Sequence, residues 1–269
     1  MLLVNEREVA FTLGVCPQDL AARLKPGADI FIVNGYPVDA AAELQDGDAC
    51  WLICRGETPP AEEMDRLLYA RHTPGVHEKV KKAVVGVMGL GGLGSSVAVA
   101  LARIGTGKLL LADFDVVEPS NLNRQQYFID QVGMKKTEAL KRNLARINPY
   151  VEVETVDEEL TEERIPDIFQ NVDVLAECFD SAAMKAAALR AALIGLKGKG
   201  YVGVSGVAGY ADNNRIQTRE LFPGIFIVGD GETAAMPGRG LMAPRVGIAA
   251  HHQANQVLRI LLGKAEVRS

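Results

Sequence analysis

The chain has 269 residues, 48% of them apolar, so it can bury one substantial core, or one core and a small satellite. Its formal net charge of −5 argues against a nucleic-acid-binding surface, because no broad excess of basic residues is present. The four cysteines form no CxxC pair, and neither a signal peptide nor a long uncharged apolar run is found, so we expect a soluble cytoplasmic protein without zinc.

Residues 1–58 carry the pattern of a small β-grasp domain. Two short apolar strands come first, followed by the helix "PQDLAARL" and by the strands "DIFIVNG" and "ACWLICR". Pro17 suits the first turn of that helix, and "DGD" is a turn signal before the last strand. Two strands, a helix and further strands within so few residues are compatible with a β-grasp fold.

Residues 59–82 are predicted to connect this domain to the rest of the chain. "GETPP" ends the strand pattern, and "AEEMDRLLYARH" is typical of a charged amphipathic helix. The run "KVKK" that follows is interpreted as a solvated segment before the next strand.

Residues 83–269 alternate between apolar strands and helices. The pattern predicts an α/β domain with a Rossmann-like, doubly wound, mostly parallel sheet and helices on both faces. The first helix is expected to begin at Ser95 and the last to run from about Val246 to Leu262. After about Val207 the strands lose their intervening helices, which predicts an antiparallel extension.

The segment "GLGGLGS" follows the first strand of this domain and has the form of a phosphate-binding turn. Glycines let backbone N–H groups approach phosphate oxygens, and the helix that follows adds a partial positive charge. The cofactor-binding candidates here are Gly89, Gly91, Gly92 and Gly94. The turn alone does not distinguish a dinucleotide redox cofactor from ATP.

Polar residues at the ends of later strands help to distinguish between a dinucleotide redox cofactor and ATP. Asp113 closes the next strand, where an acid can accept hydrogen bonds from ribose hydroxyls in NAD and ATP enzymes alike. For Asp115 we leave open a role in the site or as a loop cap. Arg124 and Lys136 would bring two cations to the phosphates, and Asp180 in "CFDS" would bring a carboxylate for Mg²⁺.

Such a charge cluster favours nucleotidyl transfer over hydride transfer. Negative charge grows on the α-phosphate and on the departing pyrophosphate, and fixed cations stabilise it. Asn121 and Gln125, in "SNLNRQ", are additional donors or positioning residues. The sequence therefore predicts an ATP-dependent reaction at the carboxyl ends of the strands.

The chain resembles a known family over roughly residues 66–262. "GLGGLGS", "LLADFDVVEPSNLNRQ", "VGMKK", "RINP" and "VLAECFDS" are similar to the adenylation domain of ubiquitin-activating enzymes and their bacterial relatives ThiF and MoeB. The resemblance implies a homodimeric, ATP- and magnesium-dependent adenylyltransferase. It implies Asp113 as the ribose-binding acid and Asp180 as the magnesium ligand.

The same resemblance implies roles for the remaining candidates. It assigns the triphosphate to Asn121, Arg124, Gln125 and Lys136. In this family an arginine from the partner subunit's N-terminal helix reaches the γ-phosphate, and Arg71 in "YARH" matches it best, with Arg66 as the alternative.

The N-terminal domain resembles the small sulfur carriers of the ThiS type through "VNGYPVDAAAELQDGDACWLICRGE". Such carriers end in a free Gly-Gly, whereas here the tail reads "RGETPP" and runs on, so this domain cannot be the usual substrate. The expected partner is a separate Gly-Gly-ending carrier. The resemblance implies sulfur transfer for thiamine thiazole synthesis, with molybdopterin synthesis as a sibling option.

The chain also departs from this family. It lacks the two CxxC pairs that bind structural zinc in many members, and Cys178 is expected to be buried rather than to form a thioester. Glu177 has either a supporting or a purely structural role. The segment "GDGETAAMPGRG" is either a substrate loop, in which Arg239 holds a carboxylate, or a plain connection.

Three other functions stay open at this stage. An NAD-linked oxidoreductase would leave "SNLNRQ" unexplained. A non-catalytic ATP-binding scaffold, regulated by the fused domain, would not need Arg124, Lys136 and Asp180. ATP-dependent dehydration of a modified tRNA base is disfavoured by the acidic net charge.

Overall fold

A computed structural model describes residues 1–265 of the protein and divides the chain into two compact units. The first unit comprises Met1–Gly75, and the second begins at Val76. The division falls inside the segment 59–82 that the sequence predicts as a connector.

The first unit is a five-stranded sheet that packs against one helix. Its strands are β1 (Leu2–Val4), β2 (Arg7–Val9), β3 (Ile30–Val33), β4 (Tyr36–Pro37) and β5 (Ala49–Ile53). Their order is β2-β1-β5-β3-β4, and the central pair β1 and β5 is parallel. Helix α1 (Pro17–Leu24) covers one face, where Leu20 packs with Leu2 and Leu52. The predicted β-grasp fold is confirmed.

The predicted connector helix packs on this first unit. Helix α2 (Ala61–Arg71) places Glu63 Oε1 2.7 Å from Lys25 Nζ and 3.0 Å from Asn5 Nδ2. The Arg71 guanidinium lies over the Trp51 ring, 5.3 Å from its centroid. The chain after Gly56 therefore folds back onto the sheet instead of ending in a free tail.

The second unit is built on a seven-stranded sheet with helices on both faces. Its strands are β6 (Val84–Met88), β7 (Lys108–Ala112), β8 (Glu152–Val156), β9 (Val174–Glu177), β10 (Gly200–Val204), β11 (Gln217–Phe222) and β12 (Ile225–Gly229). The strand order is β11-β12-β10-β9-β6-β7-β8, and every neighbouring pair is parallel except β11 with β12. Its helices are α3 (Val76–Val80), α4 (Gly92–Arg103), α5 (Lys136–Ile147), α6 (Arg164–Phe169), α7 (Ala182–Gly195) and α8 (Ala243–Leu261).

Two apolar cores lie on opposite faces of this sheet. Helices α4, α5 and α8 contribute to one core, for example through Leu101 and Leu140. Helices α6 and α7 contribute to the other, where Phe169 is fully buried. The predicted doubly wound sheet with an antiparallel extension is confirmed. Because the strand order reverses beside β6, a ligand crevice is expected outside the carboxyl ends of β6 and β9.

Three element boundaries differ from the predictions. Helix α4 begins at Gly92 rather than Ser95, because Gly92 and Gly94 lie in its first turn and their low helix propensity hides it. Helix α8 begins at Ala243 rather than Val246, with Pro244 in its first turn. Part of the "KVKK" segment belongs to the short helix α3, where Val80 is fully buried. None of the helices between residues 1 and 265 is long and apolar enough to cross a membrane.

Candidate active site

The candidate site is a cavity of about 840 Å³ in the second unit, at the carboxyl ends of β6, β7, β9 and β10. It brings together side chains that lie far apart in the sequence. The sequence-predicted residues that line it are Gly89, Gly91, Gly92, Asp113, Asn121, Arg124, Gln125, Lys136 and Asp180. Gly94 is not among the lining residues, but it packs closely against Gly89 in the same turn. The residues thus converge as expected, and their individual roles stay predictions.

Several glycines of the turn between β6 and α4 have little or no room for a side chain. Gly89 has φ +84°, a conformation that favours glycine, and a Cβ at Gly94 would overlap the carbonyl oxygen of Gly89. Gly91 is the N-cap residue of α4, and no side chain caps this helix. The first-turn N–H groups of a helix lack intrahelical acceptors, so they are available to an anion.

Asp113 connects the end of β7 to this turn. Its Oδ2 accepts a hydrogen bond from Leu90 N at 2.6 Å, and its Oδ1 accepts one from Asp115 N at 2.8 Å. The Tyr127 hydroxyl donates to the Leu90 carbonyl at 2.8 Å, and burial raises the pKa of this tyrosine. The carboxylate is therefore held in a fixed orientation beside the cavity.

Lys136 is a buried cation at the start of α5. Its side chain is 7% exposed, and its Nζ lies 2.6 Å from Asp115 Oδ2 and 4.0 Å from Asp113 Oδ2. A positive charge at a helix N-terminus opposes the helix dipole, which costs roughly 0.3–1 kcal/mol at an exposed position. Asp115 and Asp113 compensate this charge, and Lys136 places a cation in the cavity wall.

Arg124 and Gln125 carry buried polar atoms without partners among the described residues. Arg124 Nη1 donates to Asn123 Oδ1 at 2.8 Å, but its Nε and Gln125 Oε1 have no hydrogen-bond partner. Asn121 Oδ1 accepts from Glu118 N at 3.0 Å and so shapes the short 3₁₀ turn before Arg124. Buried polar atoms are nearly always paired, so the two unpaired atoms indicate that a polar ligand completes this wall.

Asp180 lies at the exposed end of the β9 strand region, just before α7. The next residue, Ser181, caps α7 by accepting from Met184 N at 3.5 Å. Within residues 1–265, no cluster of three or more His, Cys, Asp or Glu side chains could hold a metal ion by itself. Mg²⁺ is commonly bound through one or two carboxylates together with substrate phosphates, and Asp180 fits that manner of binding.

Comparison with known proteins gives two family matches. The ThiF family matches residues 65–269, and a family described as ThiS-like ubiquitin matches residues 1–56. The chain belongs to the ThiF family. Its N-terminal unit carries the ThiS-like match, as the resemblance of that segment implies.

Curated relatives of this ThiF-family chain match over limited segments. It is 38% identical over 109 residues to a molybdopterin-synthase adenylyltransferase of Haemophilus influenzae, covering 40% of this chain and 45% of that protein. It is 45% identical over 85 residues to ubiquitin-like modifier-activating enzyme 5 of Drosophila willistoni, covering 32% of this chain and 21% of that protein. The matched segments span less than half the length of these relatives.

Solved structures share the fold. The E. coli tRNA N6-threonylcarbamoyladenosine dehydratase, in complex with ATP, has a TM-score of 0.67 at 24% identity, covering 74% of this chain and 93% of that one. E. coli MccB with ATP has a TM-score of 0.56 at 23% identity, covering 75% of this chain and 60% of that one. At this identity the likeness shows the fold alone.

Lys185, which no sequence pattern indicated, also lines the cavity of this ThiF-family chain. Its Nζ lies 2.9 Å from Glu177 Oε1, and Glu177 is 1% exposed. Burial raises the pKa of Glu177, an effect opposed by Lys185 and by hydrogen bonds. The sequence signal that could have indicated Lys185 is an acid at a strand end followed by a lysine near the start of the next helix.

A second buried ion pair supports the wall formed by Ser205–Ala208 and Thr233–Ala235. Arg245 Nη2 donates to Asp230 Oδ2 at 2.7 Å, and both side chains are at most 4% exposed. Arg245 Nη1 also donates to the Ala211 carbonyl at 2.7 Å. Burial raises the pKa of Asp230, but hydrogen bonds from Thr233, Glu232 and Arg245 outweigh it and lower the pKa to about 2.

Three remaining candidates lie outside the cavity lining: Arg71, Arg66 and Arg239. Arg71 belongs to the first unit, where it stacks on Trp51, and Arg66 on the same helix has a buried Nε without a partner among the described residues. Arg239 pairs through its backbone with Met236 in the loop after β12.

Cys178 lines the cavity but is 6% exposed, and burial raises the pKa of its thiol, so it is a poor nucleophile.

Proposed function

We propose that this chain is an ATP- and Mg²⁺-dependent adenylyltransferase that activates the C-terminal glycine carboxylate of a small sulfur carrier protein. The convergence of the glycine turn, Lys136, Arg124 and Asp180 in one cavity carries the proposal. It is supported by the relatives named molybdopterin-synthase adenylyltransferase and ubiquitin-like modifier-activating enzyme 5.

The cavity residues fit a bound ATP molecule. The uncapped N–H groups of α4 would bind phosphate oxygens, and Asp113 would accept hydrogen bonds from the ribose. Arg124 Nε and Gln125 Oε1, unpaired in the described part of the chain, would gain partners on the nucleotide. Lys136 would move from Asp115 toward the triphosphate, because the larger negative charge of the triphosphate competes with Asp115 for the ammonium group.

Asp180 would hold Mg²⁺ together with phosphate oxygens. A magnesium ion held there would supply neutralisation of the charge that develops on the phosphates. The chain's own residues then orient the reactants, and Lys136 and Arg124 stabilise the growing charge on the leaving pyrophosphate.

The reaction needs no general base. A carboxylate oxygen attacks the α-phosphorus, a new oxygen–phosphorus bond forms, and the bond to pyrophosphate breaks. The products are an acyl-adenylate and pyrophosphate. Because a carboxylate is already ionised near neutral pH, positioning and charge neutralisation supply most of the rate enhancement.

The carrier is a separate protein of the ThiS type, and the pathway is thiamine thiazole synthesis. The ThiS-like match of residues 1–56 supports this choice over molybdopterin synthesis. The fused domain is not the substrate, since Gly56 carries no free carboxylate and the chain continues into α2. We assign the reaction to the cytoplasm, where the four free cysteines stay reduced.

We also propose that the protein acts as a homodimer. Arg71, or Arg66 as its alternative, would reach the γ-phosphate bound by the partner copy. Arg71 would then leave its stacking position on Trp51.

The test is ATP–pyrophosphate exchange with and without a ThiS-like carrier that ends in Gly-Gly. The proposal predicts carrier-dependent exchange that requires Mg²⁺, is lost in Lys136→Ala and needs a higher Mg²⁺ concentration in Asp180→Asn. Exchange is retained in Lys141→Ala, which removes an exposed lysine of α5. ATP binding without carrier-dependent exchange would support the scaffold function instead. Preferential binding of NAD would support the oxidoreductase.

A further inference from the structure

We propose that Lys185 binds the incoming carboxylate of the acyl substrate and that Glu177 is the positioning residue that holds Lys185 for this task. The inference rests on the proposed adenylyltransferase function. It adds a third cation to the site, on a different wall of the cavity from Arg124 and Lys136.

Glu177 is a rigid anchor. Its side chain is 2% exposed, and its Oε1 accepts hydrogen bonds from Lys185 Nζ at 2.9 Å and Phe179 N at 2.7 Å. Interaction with the Val204 backbone lowers the pKa of Glu177, and the neighbouring Tyr201 has a pKa raised by burial and by this carboxylate. A buried carboxylate with this many donors is fixed in place, and so is the ammonium group bound to it.

Lys185 has N–H donors that Glu177 does not accept. An ammonium group has three N–H donors, and Glu177 accepts one of them. The Lys185 side chain is 26% exposed and lines the cavity. The remaining donors are therefore available to an anion in the cavity.

The position of Lys185 indicates which anion it meets. Arg124 Cγ lies 3.1 Å from where a Cβ of Gly92 would be, which puts Arg124 on the glycine-turn wall that would bind the triphosphate. Lys185 belongs to α7, on the wall made by β9, α7 and β10, which also carries Asp180; Ser205–Ala208 line the same cavity.

In-line displacement at phosphorus brings the nucleophile from the side opposite the leaving group. If pyrophosphate leaves along the glycine-turn wall, the carboxylate approaches from the wall that carries Lys185. Carboxylate and α-phosphate are both anionic, and a fixed cation between them reduces their repulsion.

The test separates carrier binding from ATP binding. The double variant Glu177→Gln with Lys185→Met removes the cation without leaving a buried unpaired carboxylate, and Lys185→Arg retains the charge. Lys197→Ala, an exposed lysine just after α7, is the matched control. For each protein, titration calorimetry gives the Kd of Mg·ATP, and exchange kinetics with a Gly-Gly-ending ThiS-like carrier give the KM of the carrier.

We expect the double variant to raise the carrier KM roughly 10- to 100-fold, because one hydrogen bond between charged groups is lost. The Kd of ATP should change by less than about twofold. Lys185→Arg restores most of the carrier affinity, and Lys197→Ala matches the wild type. An unchanged carrier KM in the double variant, or an equal loss of ATP affinity, would overturn the assignment of Lys185. If the wild type binds ATP without carrier-dependent exchange, the proposed function fails and this inference fails with it.

Discussion

Lys136 Nζ lies 2.6 Å from Asp115 Oδ2 beside the glycine turn, at the first residue of α5. The pair keeps a cation in a cavity wall although the helix dipole disfavours it there. Asp115 therefore pairs with Lys136 in the cavity wall, and its role in the site stays a prediction. A nucleotide triphosphate would compete with Asp115 for the same ammonium group.

Lys136→Ala should lower the rate constant of carrier-dependent exchange roughly 100- to 1,000-fold, because one preorganised donor to the developing phosphate charge is lost. Lys141→Ala, on the exposed face of the same helix, should stay at the wild-type rate. Steady-state exchange kinetics with both variants check this, with melting curves to compare their folding. A Lys136→Ala enzyme within about threefold of the wild type would contradict the proposed role.

Gly94→Ala should abolish ATP binding and destabilise the second unit by about 1–3 kcal/mol. The added Cβ would overlap the Gly89 carbonyl oxygen, so the turn must move away from its phosphate-binding conformation. Gly247→Ala is the control, because nothing lies within 4 Å of its Cβ position inside α8. It should be neutral or stabilising by up to about 1 kcal/mol. Urea unfolding and ATP titration measure both effects, and ATP binding by Gly94→Ala at wild-type affinity would refute the prediction.

Asp230→Asn should destabilise the fold by about 3 kcal/mol, since it leaves Arg245 buried without its counter-charge. Glu232→Gln, which disrupts an exposed pair with Arg215, should cost at most about 1 kcal/mol. Chemical unfolding at neutral pH compares the two variants. Equal losses of unfolding free energy in the two variants would show that the buried pair contributes no more to stability than the exposed pair.

The stability that Asp230 contributes should depend on pH in the acid range. Its pKa in the folded protein, about 2, lies below its ordinary value near 4, so the unfolded chain binds the proton more readily. The contribution is complete above about pH 4 and is lost as the pH falls toward about 2. The difference in stability between the wild type and Asp230→Asn should therefore shrink over this range, and a constant difference would contradict the assignment.

Asp180→Asn should raise the Mg²⁺ concentration needed for half-maximal exchange by roughly tenfold or more, because a neutral amide is a weaker ligand for a hard cation. Asp130→Asn, an exposed acid away from the cavity lining, should show the wild-type Mg²⁺ dependence. Exchange rates measured against Mg²⁺ concentration test this. An identical Mg²⁺ requirement in the two variants would remove Asp180 from the proposed metal site.

Much of the fold follows from local patterns. Alternating strand and helix signals predict the doubly wound sheet, and the apolar strand β6 is buried on both faces as such a sheet requires. The boundaries that failed, at Gly92 and Ala243, lie where glycine or proline gives weak helix signals before the apolar pattern begins.

The candidate site was predictable where its residues follow strands or belong to short motifs. Asp113 and Asp180 come after β7 and β9, and parallel strands deliver such residues to one edge. Pairs formed between elements were not predictable. Lys185 with Glu177, and Arg245 with Asp230, depend on how a helix lies on the sheet, which no local periodicity encodes. The stacking of Arg71 on Trp51 is likewise a tertiary contact.

The most direct test of the central claim is the intact mass of a Gly-Gly-ending ThiS-like carrier after incubation with this protein, ATP and Mg²⁺. The account predicts a carrier species heavier by one AMP moiety, located on the C-terminal glycine and absent when Lys136→Ala replaces the wild type. A carrier that stays unmodified while ATP binds to the protein, or AMP attached elsewhere than at that carboxylate, would contradict it.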